Sequence, residues 1–180
     1  WTSLLGASGS GKTTLLNILG TLERPDSGEI TCDGIRYRSM SARQASKFRN
    51  KRIGFIFQAY HMLPELTILE NVTLAGRLNG NAAPDLRQRA EALLEKTGLR
   101  DRMKHRPAEL SGGEQQRAAI ARSLINSPDL ILADEPTGNL DSKTGAGILE
   151  IFQALHRDKN APTIIMITHN QAVAELGDRI

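Results

Sequence analysis

The chain has 180 residues, 39% of them hydrophobic, which suffices for one globular domain with its own core and is short for two. Lys and Arg number 23 against 20 Asp and Glu, and this mild net charge of +3 excludes the strong asymmetry of a dedicated nucleic-acid binder. A single cysteine, Cys32, excludes an intrachain disulfide and fits a reducing, cytoplasmic compartment, and no apolar run approaches the roughly 18 residues of a membrane span.

In chain order, the sequence begins at Trp1 with neither a methionine nor a signal-like segment, as a fragment cut inside a domain would. Residues 2–5 read as a short apolar strand, residues 6–11 as a glycine loop, and residues 13–19 as a helix with Leu15, Leu16, Ile18 and Leu19 at helical spacing. Pro25-Asp26-Ser27-Gly28 is a turn, and residues 29–32 followed by Asp33-Gly34 and Ile35 predict a short hairpin, the remnant of a small β subdomain. Ser41 caps a polar, basic helix over residues 41–50, and residues 53–57 form a buried strand. From residue 64 to residue 124 the pattern is helical, with Ala90, Leu93, Leu94 and Thr97 on one buried face and Gly98 as a C-terminal cap. Residues 130–133 and 164–167 are two more buried strands, with an amphipathic helix over residues 148–155 between them. Strands alternating with helices predict an α/β fold with a mostly parallel sheet covered on both faces. One domain is expected, its core in residues 1–58 and 126–180 and an inserted helical subdomain in residues 59–125.

Gly6-Ala7-Ser8-Gly9-Ser10-Gly11-Lys12-Thr13 satisfies the Walker A pattern, in which the backbone curls so that successive N–H groups point at one anion. Lys12 would reach the outer phosphates of ATP, Thr13 would ligate Mg²⁺, and the helix start, through Thr14, would add its positive end. A flexible Gly/Ser linker would not account for Lys-Thr at a helix start. Asp134, at the end of the strand of residues 130–133, stands where a parallel strand delivers a second Mg²⁺ group, and Glu135 leaves the strand in another direction, suited to polarise an attacking water. The bland alternative is that this carboxylate pair caps a helix after Pro136.

Leu110-Ser111-Gly112-Gly113-Glu114-Gln115-Gln116-Arg117 resembles the signature sequence of ABC-type ATPases, which are P-loop NTPases with a RecA-like core. Ser111, Gly112 and Gly113 open a helix, so free N–H groups and a hydroxyl form a second anion site; a plain helix N-cap is the competing reading. The resemblance implies that the signature closes over ATP held by a second copy, giving a head-to-tail homodimer. It further implies that Gln58 is the Q-loop glutamine touching Mg²⁺ and the attacking water, that Asn139-Leu140-Asp141 is the D-loop at the dimer interface, and that His169 is the switch histidine contacting the γ-phosphate. His61, His105 and His156 lack such company. Ala7, Thr13 and Asn170 depart from the commonest family residues, and Asn170 leaves open how His169 is oriented. The aromatic that stacks on adenine in this family is not matched, since Trp1 is too close to Gly6.

Gly54-Phe55-Ile56-Phe57-Gln58, Leu63-Pro64, Leu66-Thr67, Glu70-Asn71-Val72 and Thr137-Gly138-Asn139-Leu140-Asp141 are similar to the bacterial group of lipoprotein-releasing, macrolide-exporting, antimicrobial-peptide-resistance and cell-division ATPases. That likeness implies ATP hydrolysis powering an integral membrane subunit from the cytoplasmic face of the inner membrane, lipoprotein release first and macrolide-type export second. Tyr60, His61, Met62 and Leu63 are candidate contacts to that subunit, with core packing of Met62 and Leu63 an equal reading. A soluble ATPase acting on DNA or ribosomes would use Arg36, Arg38, Arg43, Lys47, Arg49, Lys51 and Arg52, but a solvated helix face accounts for this cluster with fewer assumptions, and no nucleic-acid partner is expected. A regulator that binds ATP without turnover is disfavoured by Glu135 and His169.

Overall fold

The computed structural model describes every residue except Ser8, Asn81 and Ala82. Its main sheet contains β1 (Thr2–Leu5), β4 (Ile53–Ile56), β5 (Leu130–Asp134) and β6 (Thr163–Thr168), all parallel, in the order β1-β6-β5-β4. Continuous apolar runs form these strands because both faces are covered, so alternate side chains enter different cores. Ile131, Ala133, Ile164 and Met166 point into one core, and Leu132 and Ile167 into the other.

The first core is closed by α6 (Ser142–His156) through Ile148 and Phe152. The second is closed by Leu16 of α1 (Lys12–Leu19) and Phe48 of α2 (Ala42–Arg52). Helix α2 starts at Ser41, whose side chain accepts from the Gln44 amide while Gln44 reaches back to the Ser41 amide. Between α1 and α2 lies a two-stranded antiparallel hairpin, β2 (Thr31–Cys32) and β3 (Ile35–Arg36), turned by Asp33 and Gly34 in left-handed backbone. It is shorter than the sequence suggests, since residues 29 and 30 stay outside the ladder.

Helices α3 (Ile68–Leu78), α4 (Ala83–Lys96) and α5 (Gly112–Leu124) gather around their own core of Ile68, Val72, Leu86, Ala90, Leu94 and Leu99. Gly98 ends α4 as expected: at φ 76° its N–H donates to the Glu95 carbonyl while Leu99 N–H returns to Leu94. Helix α5 belongs to two cores, giving Ala118 and Ala121 to the helical one and Ile120 to the sheet. Its close approach to β4 requires Gly54, where an added Cβ would lie 2.7 Å from the Ser123 carbonyl.

Two differences from the sequence reading concern the strand edge. Strand β4 stops at Ile56, where its pairing with Ala133 of β5 ends, one residue short of Phe57, whose ring lies 5.5 Å from that of Phe55. Strand β5 continues one residue to Asp134, which pairs with Ile167. The helix that follows Pro136 does not begin until Ser142, where α6 is capped by Asp141, so Asp134 and Glu135 are not helix caps. The short helix α7 (Gln171–Ala174) follows β6.

Candidate nucleotide site

Because all four strands run the same way, their carboxyl ends share one edge, and each delivers a different segment to it. Strand β1 leads into residues 6–13, β4 into Gln58, β5 into Asp134 and Glu135, and β6 into His169. Gly9, Gly11, Lys12, Thr13, Thr14, Gln58, Asp134, Glu135, Ile167 and His169 line a cavity of about 710 Å³ there. A larger cleft of about 1150 Å³ opens at the other edge, near Asp129 and Thr163 where β5 and β6 begin, and contains no phosphate loop.

Gly9 and Gly11 take φ of 78° and 85°, a backbone that a side chain would oppose. Lys12 crosses this curl, its Nζ donating to the carbonyls of Gly6 and Ala7 at 2.7 Å each, so the loop's carbonyls face the ammonium. Ser10 closes the turn through its N–H to Ala7 and lies 3.5 Å from the same Nζ. Ser8, also expected to bind phosphate, lies outside the described residues.

Thr13 Oγ1 donates to Asp134 Oδ2 at 3.0 Å, which brings together two residues separated by 121 positions. Glu135 is a non-glycine residue at φ 43°, held by its N–H to the Ile167 carbonyl. That twist swings its carboxylate to His169, whose Nδ1 donates to Oε2 at 2.9 Å and leaves Nε2 as the ring's other polar atom. The orientation of His169 therefore comes from Glu135, while Asn170 is used as the cap of α7.

Sequence reasoning missed what holds Gln58. Its Nε2 donates to Asn139 Oδ1 at 2.9 Å, and Asn139 Nδ2 donates back to the Gln58 carbonyl at 3.1 Å. Gly138 permits the contact, since a Cβ there would stand 2.8 Å from Gln58 Nε2 and 3.2 Å from Glu135 Oε2. Gln116, fully buried on α5, donates to the Pro136 carbonyl at 2.7 Å and ties the signature helix to the segment after Glu135. These links join residues about 20 to 80 positions apart, so no local pattern announces them.

Ser111, Gly112, Gly113 and Asp141 do not line this cavity. Ser111 caps α5 in a capping box: its hydroxyl receives the Glu114 N–H, and Glu114 accepts from the Ser111 amide and hydroxyl. Both signature glycines also have packing reasons, because a Cβ at Gly113 would lie 2.2 Å from Thr144 Cγ2 and one at Gly112 2.8 Å from the Tyr60 hydroxyl. Asp141 caps α6, accepting from the Thr144 hydroxyl and from the Thr144 and Lys143 amides, which hold its carboxyl below the usual range.

The Ser111 amide and hydroxyl, then Arg102, hold the Glu114 carboxyl down to about 2. A depressed pKa means that this stabilisation is complete above the ordinary value of 4.5 and is lost as pH falls toward about 2. Thermal unfolding of Glu114→Ala at a series of pH values should show a flatter acid limb between those two values. An unchanged limb would mean that the capping box does not drive the acid response.

Relatives carry the same framework. A family model described as ABC transporter matches residues 1–138. The chain is 50% identical over 183 residues to the lipoprotein-releasing system ATP-binding protein LolD 2 of Rhodopirellula baltica, covering 98% of this chain and 71% of that protein. It is 52% identical to the macrolide export ATP-binding/permease protein MacB of Bartonella henselae, covering 99% of this chain and 27% of that longer protein. Among solved structures, an ATP-binding cassette captured as a dimer in a post-hydrolysis state with ADP and Pi matches with a TM-score of 0.91 and 41% identity, over all of this chain and 79% of that one. Half-identity across nearly the whole chain, on a parallel sheet whose edge carries a phosphate loop, places the protein in the ABC transporter family as an ATP-binding, ATP-hydrolysing subunit that powers a membrane transporter.

Proposed function

We propose that this subunit serves a transporter of the lipoprotein-releasing or macrolide-exporting kind, lipoprotein release first, and works at the cytoplasmic face of the inner membrane against an integral membrane partner. No helix among the described residues is long and apolar enough to cross a membrane, so the partner would supply the span. The core in residues 1–58 and 126–180 would bind nucleotide, and residues 59–125 would form the helical arm.

The observation that carries the chemical reading is the convergence of Lys12, Thr13, Gln58, Asp134, Glu135 and His169 on one cavity. The backbone of residues 6–13 and Lys12 would hold the β- and γ-phosphates, with Thr14 at the helix start. Thr13 Oγ1 and Asp134 Oδ2, 3.0 Å apart, are the hard oxygen donors that Mg²⁺ prefers, with Gln58 beside them. Bound there, the ion supplies charge neutralisation at the phosphate oxygens. Glu135 would accept the proton of the attacking water, and His169, steered by Glu135, would present Nε2 toward the γ-phosphate. Ser111, Gly112, Gly113 and Asp141 lie outside the cavity, as a site completed by a second copy in a head-to-tail dimer requires.

The nucleic-acid reading loses part of its surface. Arg36 pairs with Glu29 at 3.3 Å, Arg52 with Asp33 and Asp129, and Arg49 donates to the Thr21 carbonyl.

The test is ATP hydrolysis by the full chain with the integral membrane protein that co-purifies from detergent-solubilised membranes, reconstituted in liposomes. Hydrolysis should require Mg²⁺, stop on chelation, and rise with an acylated lipoprotein more than with a macrolide. A stronger response to the macrolide would reverse the order, and co-purification with DNA or ribosomes in place of a membrane protein would overturn the reading.

A further inference from the structure

The segment after Gln58 holds a conformation that its own residues oppose. Tyr60 and His61 are consecutive non-glycine residues in left-handed backbone, at φ 57° and 49°, where side chains are crowded against the chain. A pair of this kind persists only where the surroundings impose it.

The imposing group comes from the far end of α5. The half-buried Arg122 donates through Nη2 to the Tyr60 carbonyl at 2.7 Å and through Nη1 to the His61 carbonyl, and Met62 Sδ lies 3.7 Å from Nη1. Among the described residues no carboxylate forms an ion pair with Arg122, so the oxygens that meet this half-buried cation are two carbonyls of the strained segment. Burial holds its pKa below the ordinary arginine value, in keeping with a charge withdrawn from water to make these contacts. The other end of the same helix also meets the segment, since the Tyr60 hydroxyl lies against Gly112. Gln58 is thus held on one side by Asn139 and is followed, two residues on, by backbone gripped from α5.

We propose that Arg122 is a positioning residue whose guanidinium fork keeps Tyr60 and His61 left-handed, and so sets Gln58 at the nucleotide cavity in step with the signature helix. The proposal rests on the role given to Gln58 above. It uses the fork: the guanidinium meets the two carbonyls from two separate nitrogens, Nη2 and Nη1, whereas a lysine would have to draw both onto one nitrogen, as Lys12 does in the tight curl of residues 6–7. Arg122 does not line the nucleotide cavity, and its influence passes through the backbone of residues 59–62.

The test uses the full chain and reads amide hydrogen exchange over residues 58–63 together with kcat and KM for Mg-ATP. Arg122→Gln should raise exchange in that segment and lower kcat by about tenfold while KM changes less than about twofold, because the phosphate loop is untouched. Arg122→Lys should fall between Arg122→Gln and the parent. Glycine accepts positive φ freely, so His61→Gly should recover kcat several-fold on the Arg122→Lys background and change the parent much less. If Arg122→Gln does not fold, the Arg122→Lys pair still decides the matter. Unchanged exchange over residues 58–63, or a fall in kcat with no rescue by His61→Gly, would overturn the clamp. Gln58→Ala separates the two ideas: if it leaves kcat intact while the Arg122 variants still loosen the segment, the clamp stands and the role of Gln58 falls.

Discussion

Replacing Glu135 by Gln is expected to leave Mg-ATP bound at its parental affinity and to slow hydrolysis by about 10²–10⁴-fold, the usual contribution of a positioned general base. The amide keeps the size of the side chain and can still accept from His169 Nδ1, so the pair at 2.9 Å need not open. What disappears is the carboxylate proposed to take the proton from water. ATP should therefore persist at the site and, if the site is completed by Ser111, Gly112 and Gly113 of a second copy, hold two subunits together. Light scattering should report a dimer in ATP and a monomer in ADP. Adding Ser111→Arg should abolish that dimer, because a cation at the start of α5 opposes the positive helix end and removes the cap that the Ser111 hydroxyl provides. A dimer that survives Ser111→Arg would leave residues 110–117 without the role assigned to them, and rapid hydrolysis by Glu135→Gln would move the base elsewhere.

Lys12→Ala is expected to weaken ATP binding by about 1.5–3 kcal/mol, or roughly tenfold to more than a hundredfold, the range for a lost charge-assisted hydrogen bond. The structure adds a second source of loss. Lys12 Nζ also donates to the carbonyls of Gly6 and Ala7, so alanine removes the internal brace of the loop as well as the proposed phosphate ligand. Lys12→Arg should fail too, since a planar fork does not place one charge between those carbonyls as an ammonium does. Calorimetry with Mg-ATP measures both variants, and an unchanged affinity for Lys12→Ala would remove residues 6–13 from the binding site.

The local grammar is legible in the residues alone. Gly98 marked the end of α4 because only left-handed backbone closes that turn, and Asp33-Gly34 marked the hairpin for the same reason. Residues 130–133 read as a buried strand because an unbroken apolar run fits a parallel sheet covered on both sides. Periodicity says little about where such a run stops, so β5 extends to Asp134 through its pairing with β6, and β4 ends at Ile56, where its pairing with Ala133 of β5 ends.

The sequence by itself determined the order of the elements, the phosphate-loop pattern of residues 6–13, the carboxylates at the end of β5 and the family resemblance, because each is written in neighbouring residues whose backbone demands or strand edges are local. Tertiary structure alone decided which partners those residues meet. His169 is turned by Glu135, Gln58 is paired with Asn139, Gln116 reaches Pro136, and Tyr60 and His61 are held by Arg122. Each of these is a polar contact across about 20 to 80 positions of chain, created when parallel strands bring distant loops to one sheet edge and α5 packs against them. No propensity or spacing encodes such a contact, because it depends on where the intervening helices lay the chain down rather than on the residues that flank it.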